Sequence, residues 1–396
     1  MYWTEEAGMG TTEARGPFAY ENWRAALLGT EVQRTFECPM FTDAHVTGGA
    51  SDRYGPYQLI NTVRIPDFDA HRTRPSVILR VDEHFSFEPP RMDKTDASCY
   101  HGGDLPDEIA ALISLCLGIR LRPGGRNRVF ERDQDPKGHP ISWDFRHDPT
   151  LPEVPRNPVL PRLTGTHSLE DVSILMKFPA LSPEDAITLV RAARFYQEAV
   201  WMVESAPEIS WIMLTSAIET AAGRWQAERE SPLEKLKAMK PKLYDLLDSC
   251  ADERFALQIA EMVAPYVGST KKFVDFLLNF RPDAPQKRPE GEFQHPWDAT
   301  SLRSSFKRIY DYRSRALHAG VPFPDPMCWP PMLVNIKSEP AEVPIGLAAG
   351  SKGGVWLKKD IPMLLHTFEY IARHALLNWW RSIEISKQDA YSKQQT

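Results

Sequence analysis

Apolar positions change their period along this chain. In the first part, Tyr57, Leu59, Val63 and Ile65 alternate with polar residues, and Val77, Leu79 and Val81 do the same before His84-Phe85-Ser86-Phe87. Period two predicts half-buried strands. Between Asp107 and Ile119 the spacing becomes helical: Ile109, Leu112, Ile113, Cys116 and Leu117 fall on one face behind Pro106. The segment Arg122-Pro123-Gly124-Gly125-Arg126-Asn127-Arg128 then reads as a turn into another short strand.

From Ser182 onward the helical period takes over. Ser182 with Pro183, Glu184 and Asp185 combines a capping hydroxyl, a proline at the first helical position and carboxylates at the positive dipole end. Ala186, Leu189, Val190, Ala193, Tyr196, Val200 and Val203 mark the buried face that follows, and Trp211, Leu214, Ile218 and Ala222 mark that of a second helix starting near Pro207. Helices are further predicted at 233–248, 252–266 and 268–280, then from Asp298 to Ala319 with Gly320 as the left-handed stop, and from Pro362 to Ile385. The expected fold class is α+β overall: an N-terminal domain mixing helix and strands over 1–165, a linker at 166–181, and an all-α antiparallel bundle of five to seven helices over 182–390.

Proline explains the punctuation. The 396 residues include 34 prolines, clustered at 136–161, which also reads as linker, and at 322–344, and sparse across the helical block. The formal charge of −6 argues against a protein coated in basic surface for sequence-blind DNA binding. The longest apolar run, Ile109–Ile119, is far short of the ~20 residues that span a bilayer. The opening MYWTEEAGMG is acidic where an export signal is basic, so a cytoplasmic protein with no membrane partner is expected. Five scattered cysteines provide neither a disulfide framework nor a CxxC pair. Cys99 and His101 lack a second ligand pair at usable spacing, so neither a metal nor another cofactor is expected. Walker A, GxSxG and HExxH motifs are absent.

The chemistry-bearing segment is Ile309-Tyr310-Asp311-Tyr312-Arg313-Ser314-Arg315-Ala316-Leu317-His318-Ala319-Gly320. Its helix carries Arg303, Lys307, Arg308, Arg313 and Arg315 against one acid, Asp311, a local basic site in an acidic chain. Histidine exchanges protons near neutrality, and a guanidinium grips phosphate oxygens in pairs. Together they suit phosphoryl transfer from a ribose 2′-hydroxyl. A solvated helix end, whose cations suit the negative dipole end, is the alternative. Asp311 is placed to pair with Arg315 at i,i+4. A second cationic stretch, Arg120, Arg122, Arg126, Arg128 and Arg132, reads as a phosphate-gripping hairpin on an RNA path or as a solvated turn.

Arg313 to His318 resembles the R-x(4–6)-H motif of the HEPN superfamily, and Tyr312-Arg313-Ser314 with His318 and Gly320 is similar to its ApeA-like branch. The helix around Trp211–Glu219 and the segment Val321–Cys328 are similar too, so the resemblance covers roughly 183–385. It implies a bundle that dimerises to form a composite cleft, and a metal-independent endoribonuclease with Arg313 and His318 as catalytic residues. Ser314, Arg315, Tyr312, Asp311 and Glu219 are auxiliary candidates, Glu219 as a possible orienting partner of Arg313. Arg303, Lys307, Arg308, Arg126 and Arg128 are RNA-binding candidates. Members of the superfamily act as conditional toxins or phage-defence effectors, with an antitoxin or defence-system partner, and some have lost catalysis and only bind a nucleotide, an RNA or a partner protein. Five residues on an ideal helix rotate by about 140°, which sets Arg313 and His318 on different faces, whereas Arg315 and His318 nearly share one.

Overall fold

The computed structural model describes residues 15–62, 75–85, 95, 100–131, 136–142, 144–227, 231–250, 253–263, 268–334 and 339–383. Val63, Ile65, Ser86, Phe87, Cys99, Arg132 and Ile385 of the sequence patterns lie outside them. The chain enters through α1 (Phe18–Leu27), a helix without a side-chain cap that buries Tyr20 and Trp23. Next come β1 (Arg34–Phe41), β2 (His45–Thr47), β3 (Ala50–Tyr54), β4 (Tyr57–Asn61) and β5 (Pro75–Glu83). Then follow α2 (Leu105–Leu117), β6 (Arg122–Pro123), β7 (Arg128–Glu131) and β8 (His139–Pro140).

All of these strands except β2 build an antiparallel sheet in the order β3-β4-β5-β1-β7-β8, with β6 also on β1. The central strand is β1, where Phe36 faces Val81 and Cys38 faces Leu79 across the ladder. Its apolar residues do not alternate, since burial on both faces removes the need for a polar side. That is why β1 escapes a period-two search. Helix α2 is closed at its start by a reciprocal cap between Asp104 and Asp107 and at its end by Gly118 in the left-handed region (φ 70°). Its Ile113 and Leu117 converge with Met40, Leu59 and Val77 of the sheet.

The stretch 166–181, expected as a linker, is folded. Strand β9 (Thr166–Ser168) pairs in parallel with β2, and a 3₁₀ run, Leu169–Ala180, buries Leu169, Val172, Leu175 and Phe178. Phe178 packs edge-on against Tyr20 at 5.8 Å, and the Tyr20 hydroxyl donates to the Leu181 carbonyl at 2.8 Å. The apolar residues at 169, 172, 175 and 178 recur every three positions, the period of a 3₁₀ helix.

The helical part comprises α3 (Pro183–Met202), α4 (Pro207–Ala227), α5 (Pro232–Met239), α6 (Pro241–Cys250), α7 (Glu253–Val263), α8 (Ser269–Asn279), α9 (Ala299–Ala319) and α10 (Leu365–Ser382). Among the described residues that is eight helices, one more than the upper expectation, because Pro241 divides the segment 233–248 into α5 and α6. Ser182 caps α3 as predicted, its hydroxyl accepting from the Asp185 amide at 3.1 Å. Every residue assigned to the inward faces of α3 and α4 is buried. This part is not all-α: β10 (Leu333–Val334) pairs with β11 (Glu339–Pro340), and β12 (Ala348–Ser351) with β13 (Gly354–Leu357), between α9 and α10. The second proline cluster falls on the non-helical stretch after α9, where Pro326 sits in a short 3₁₀ turn and Pro340 in β11.

One continuous apolar cluster runs from the sheet through α2 into α3, α4, α8, α9 and α10. Arg120 ties the halves polarly. Its fully buried guanidinium donates to the Val200 carbonyl at 2.9 Å and meets Asp43 at 2.5 Å and Glu204 at 3.1 Å. Removing either carboxylate would leave charge buried and under-compensated. No helix among the described residues is long and apolar enough to cross a membrane.

Candidate functional site

Helix α9 is defined at both ends. The Asp298 carboxylate accepts from the amides of Thr300 and Ser301 at 3.0 and 2.9 Å, which holds its pKa below the usual carboxylate range. Gly320 closes the helix at φ 63°. Leu302, Phe306, Ile309 and Tyr310 form the buried stripe. The helix opposite, α4, is fixed by Trp211, which stacks on Phe323 and Phe368 at 5.5 and 4.9 Å and donates from Nε1 to the Met327 carbonyl at 3.2 Å. Both walls of the site are therefore set by packed aromatics.

Across the gap between α4 and α9, Glu219 receives two partners. Its Oε1 accepts from the Tyr310 hydroxyl at 2.7 Å, and its Oε2 accepts from the Arg313 guanidinium. Arg313 and Glu219 are 17% and 22% exposed, so the pair is largely sheltered from solvent. The Arg313 guanidinium also lies over the Tyr310 ring at 5.7 Å, while its Nε is buried without a partner. Burial and the bond to Glu219 push the Tyr310 phenol up to about 12, so it stays a donor. Glu219 thus holds Arg313, as the sequence raised.

Arg315 and His318 stand elsewhere. Both are exposed at the C-terminal end of α9, and α9 is regular to Ala319, so they sit three residues apart on one side. Arg315 lies over the Tyr312 ring at 5.9 Å. The Tyr312 hydroxyl donates to the Asp360 carbonyl at 2.7 Å, and burial raises its pKa. Asp311, expected to pair with Arg315, makes no ion pair among the described residues; the Tyr312 ring takes the guanidinium instead. Ser314 is half-buried, without a side-chain hydrogen bond among the described residues. Within one chain Arg315 shares a side of α9 with His318, while Arg313 is directed to Glu219 on α4.

Two of the RNA-binding candidates on α9 are engaged. Arg303 pairs with Asp275 at 3.3 Å, and Arg308 binds Asp360 at 3.1 Å and the Lys359 carbonyl. Lys307 is exposed. The cationic stretch near Gly124-Gly125 does not form an open hairpin grip. Arg120 is buried, Arg122 binds Glu198 at 2.5 Å over the Trp201 ring, and Arg126 packs on Phe36 at 4.6 Å. Arg128 donates to the Lys137 carbonyl at 2.5 Å. These side chains hold the sheet to its surroundings. Among the described residues no cluster of three or more His, Cys, Asp or Glu could hold a metal ion.

Sequence reasoning gives Tyr310 no role, although its place on the Leu302–Phe306–Ile309 stripe marks it as inward-facing. Comparison with protein-family models, with curated proteins and with solved structures finds no match.

Proposed function

We propose that this protein is a metal-independent endoribonuclease of HEPN type whose working end is the C-terminal turn of α9. The observation that carries the reading is the exposed Arg315–His318 pair at the end of a helix pinned by the buried Tyr310–Glu219–Arg313 contact. His318 acts as general acid or base on the ribose 2′-hydroxyl or the departing 5′-oxygen. A guanidinium holds the scissile phosphate, and Arg315 is the one in reach within a single chain. Arg313 is a positioning residue in this account, since its charge is met by Glu219 and it faces the other way. The attack yields a 2′,3′-cyclic phosphate and a 5′-hydroxyl, balanced by one proton taken and one returned, and cannot occur on DNA.

Leu317, 48% exposed, and Val321 flank His318. They are the apolar rim that a second copy would cover, bringing two such ends into one cleft, with the α+β part restraining activity until a trigger arrives. A conditional toxin or defence effector fits this arrangement. A second reading rests on the same ion pair: with Arg313 neutralised by Glu219, the end of α9 binds a nucleotide, an RNA or a partner protein without turnover. Incubating the protein with labelled RNA in EDTA separates the two. Only the first predicts cleavage, and only there does His318→Ala abolish it.

A further inference from the structure

A cavity of about 530 Å³ lies between the end of α2, the turn at 160–163, the 3₁₀ run and α10, and no residue lining it is on α9. Its volume falls within the ~300–1,000 Å³ usual for small-molecule sites. Three guanidinium groups reach its wall: Arg162, Arg373 and Arg381. Arg373 is committed, donating to the Leu115 carbonyl at 2.9 Å and to that of Cys116, and so capping α2. Arg162 lies over the Tyr370 ring at 5.6 Å, and its guanidinium makes no hydrogen bond among the described residues. Arg381 donates to Asn378 at 2.9 Å and is otherwise exposed. Two cations therefore keep donors for a ligand.

Carboxylates are present but set apart. Glu369 accepts the Tyr196 hydroxyl at 2.6 Å and its pKa is raised by burial, while Glu170 and Asp171 lie exposed at the rim. The interior is electropositive where His374 sits: burial, reinforced by Arg373, Arg381 and Arg162, lowers its pKa to about 3. Beside it, Tyr370 presents a ring 4.3 Å from the imidazole, and Leu163 and Leu377 add apolar wall. A half-apolar cavity with an aromatic ring in its wall and two available guanidinium groups suits a molecule that is flat at one end and anionic at the other.

We propose that this cavity binds a small organic phosphate bearing a flat ring, of mononucleotide size, with its anionic group on Arg162 and Arg381 and its ring against Tyr370 and Leu377. The site joins α2 of the α+β part to α10 of the helical part, so occupancy stabilises their union by linkage.

The test uses the full chain with the four nucleoside 5′-monophosphates, their parent nucleosides and inorganic phosphate as probes, read by thermal shift and calorimetry. At least one monophosphate is expected to raise Tm, and its nucleoside to do so clearly less. Arg162→Ala/Arg381→Ala should weaken that binding by about tenfold or more, since charge-assisted bonds are lost. If that variant is poorly folded, the single Arg162→Glu, an exposed change, decides in its place. His318→Ala should bind as the wild type does. The proposal is overturned if no monophosphate shifts Tm at millimolar concentration, if the nucleoside shifts it equally, if the arginine variants bind undiminished, or if His318→Ala loses binding. None of these readouts involves RNA cleavage, so failure here leaves the ribonuclease reading standing.

Discussion

Replacing Glu219 by glutamine while leaving Arg313 in place strands a guanidinium that is 17% exposed and already has one unpartnered nitrogen. Fully buried pairs lose about 3–5 kcal/mol when one partner is removed, and exposed pairs about 0–1. At this exposure the loss for Glu219→Gln falls between, at about 1.5–3 kcal/mol; the glutamine carbonyl still accepts from Tyr310. Arg313→Met leaves Glu219 with its Tyr310 bond and partial solvent, and should lose about 1–2 kcal/mol. In the double variant the charges vanish together, so the two losses should not add. A double-mutant cycle by urea denaturation should return a coupling of about 1–3 kcal/mol. Thermal scans should show the same order of effects, at about 2–4 °C or less per kcal/mol in a chain of this size. A coupling below about 0.5 kcal/mol would mean that the contact does not pin α9 to α4, and the positioning role given to Arg313 would fall.

Burial lifts the Glu108 pKa to about 8, above the 4.5 of the open chain. The folded state therefore holds the extra proton between those values, and stability should decline as pH rises through that window, by at most ~1.4 kcal/mol per pH unit. Glu108→Gln should flatten the decline, and an unchanged pH profile in that variant would contradict the assignment. His366 and His374 are lowered by burial to about 4 and about 3, so stability should fall as pH drops below 6.5 toward those values, read from Tm against pH. Gly320→Ala should lose about 1 kcal/mol through its φ of 63° alone, because nothing crowds the added methyl; an equal loss from a variant at exposed Ala319 would refute the conformational cause.

Much of the helical part was legible because its signals are local. Ser182-Pro183 and Asp298 cap, Gly320 stops, and the faces of α3 and α4 repeat at the helical period. What escaped depends on contacts far along the chain. Strand β1 has no alternating pattern since both its faces are covered, and α1 begins after Pro17, which offers no capping side chain. The 3₁₀ run looks like linker by its position after a proline cluster, yet its three-residue period buries Phe178 against Tyr20. At the candidate site, the rotation of about 140° between Arg313 and His318 could be computed from spacing alone. Glu219 could be named from the sequence as a partner of Arg313; that it also takes the Tyr310 hydroxyl, and that Tyr312 rather than Asp311 takes Arg315, required the packing of α4 and the 3₁₀ turn Lys358–Asp360. Arg120 shows the same limit: nothing in its sequence neighbours separates it from the half-buried Arg122, Arg126 and Arg128, and its partners are Asp43, Val200 and Glu204.

Whether the end of α9 cleaves RNA can be read from one gel. End-labelled RNA is incubated in EDTA with the wild-type chain and with His318→Ala, Arg315→Ala and Arg313→Ala, and the product ends are mapped. The wild type should cleave to 2′,3′-cyclic phosphate and 5′-hydroxyl ends. His318→Ala, an exposed position whose change leaves the fold intact, should lose about 10²–10⁴-fold. Arg315→Ala should lose more than Arg313→Ala. Cleavage that survives in His318→Ala, or that stops when divalent ions are chelated, would overturn the ribonuclease reading.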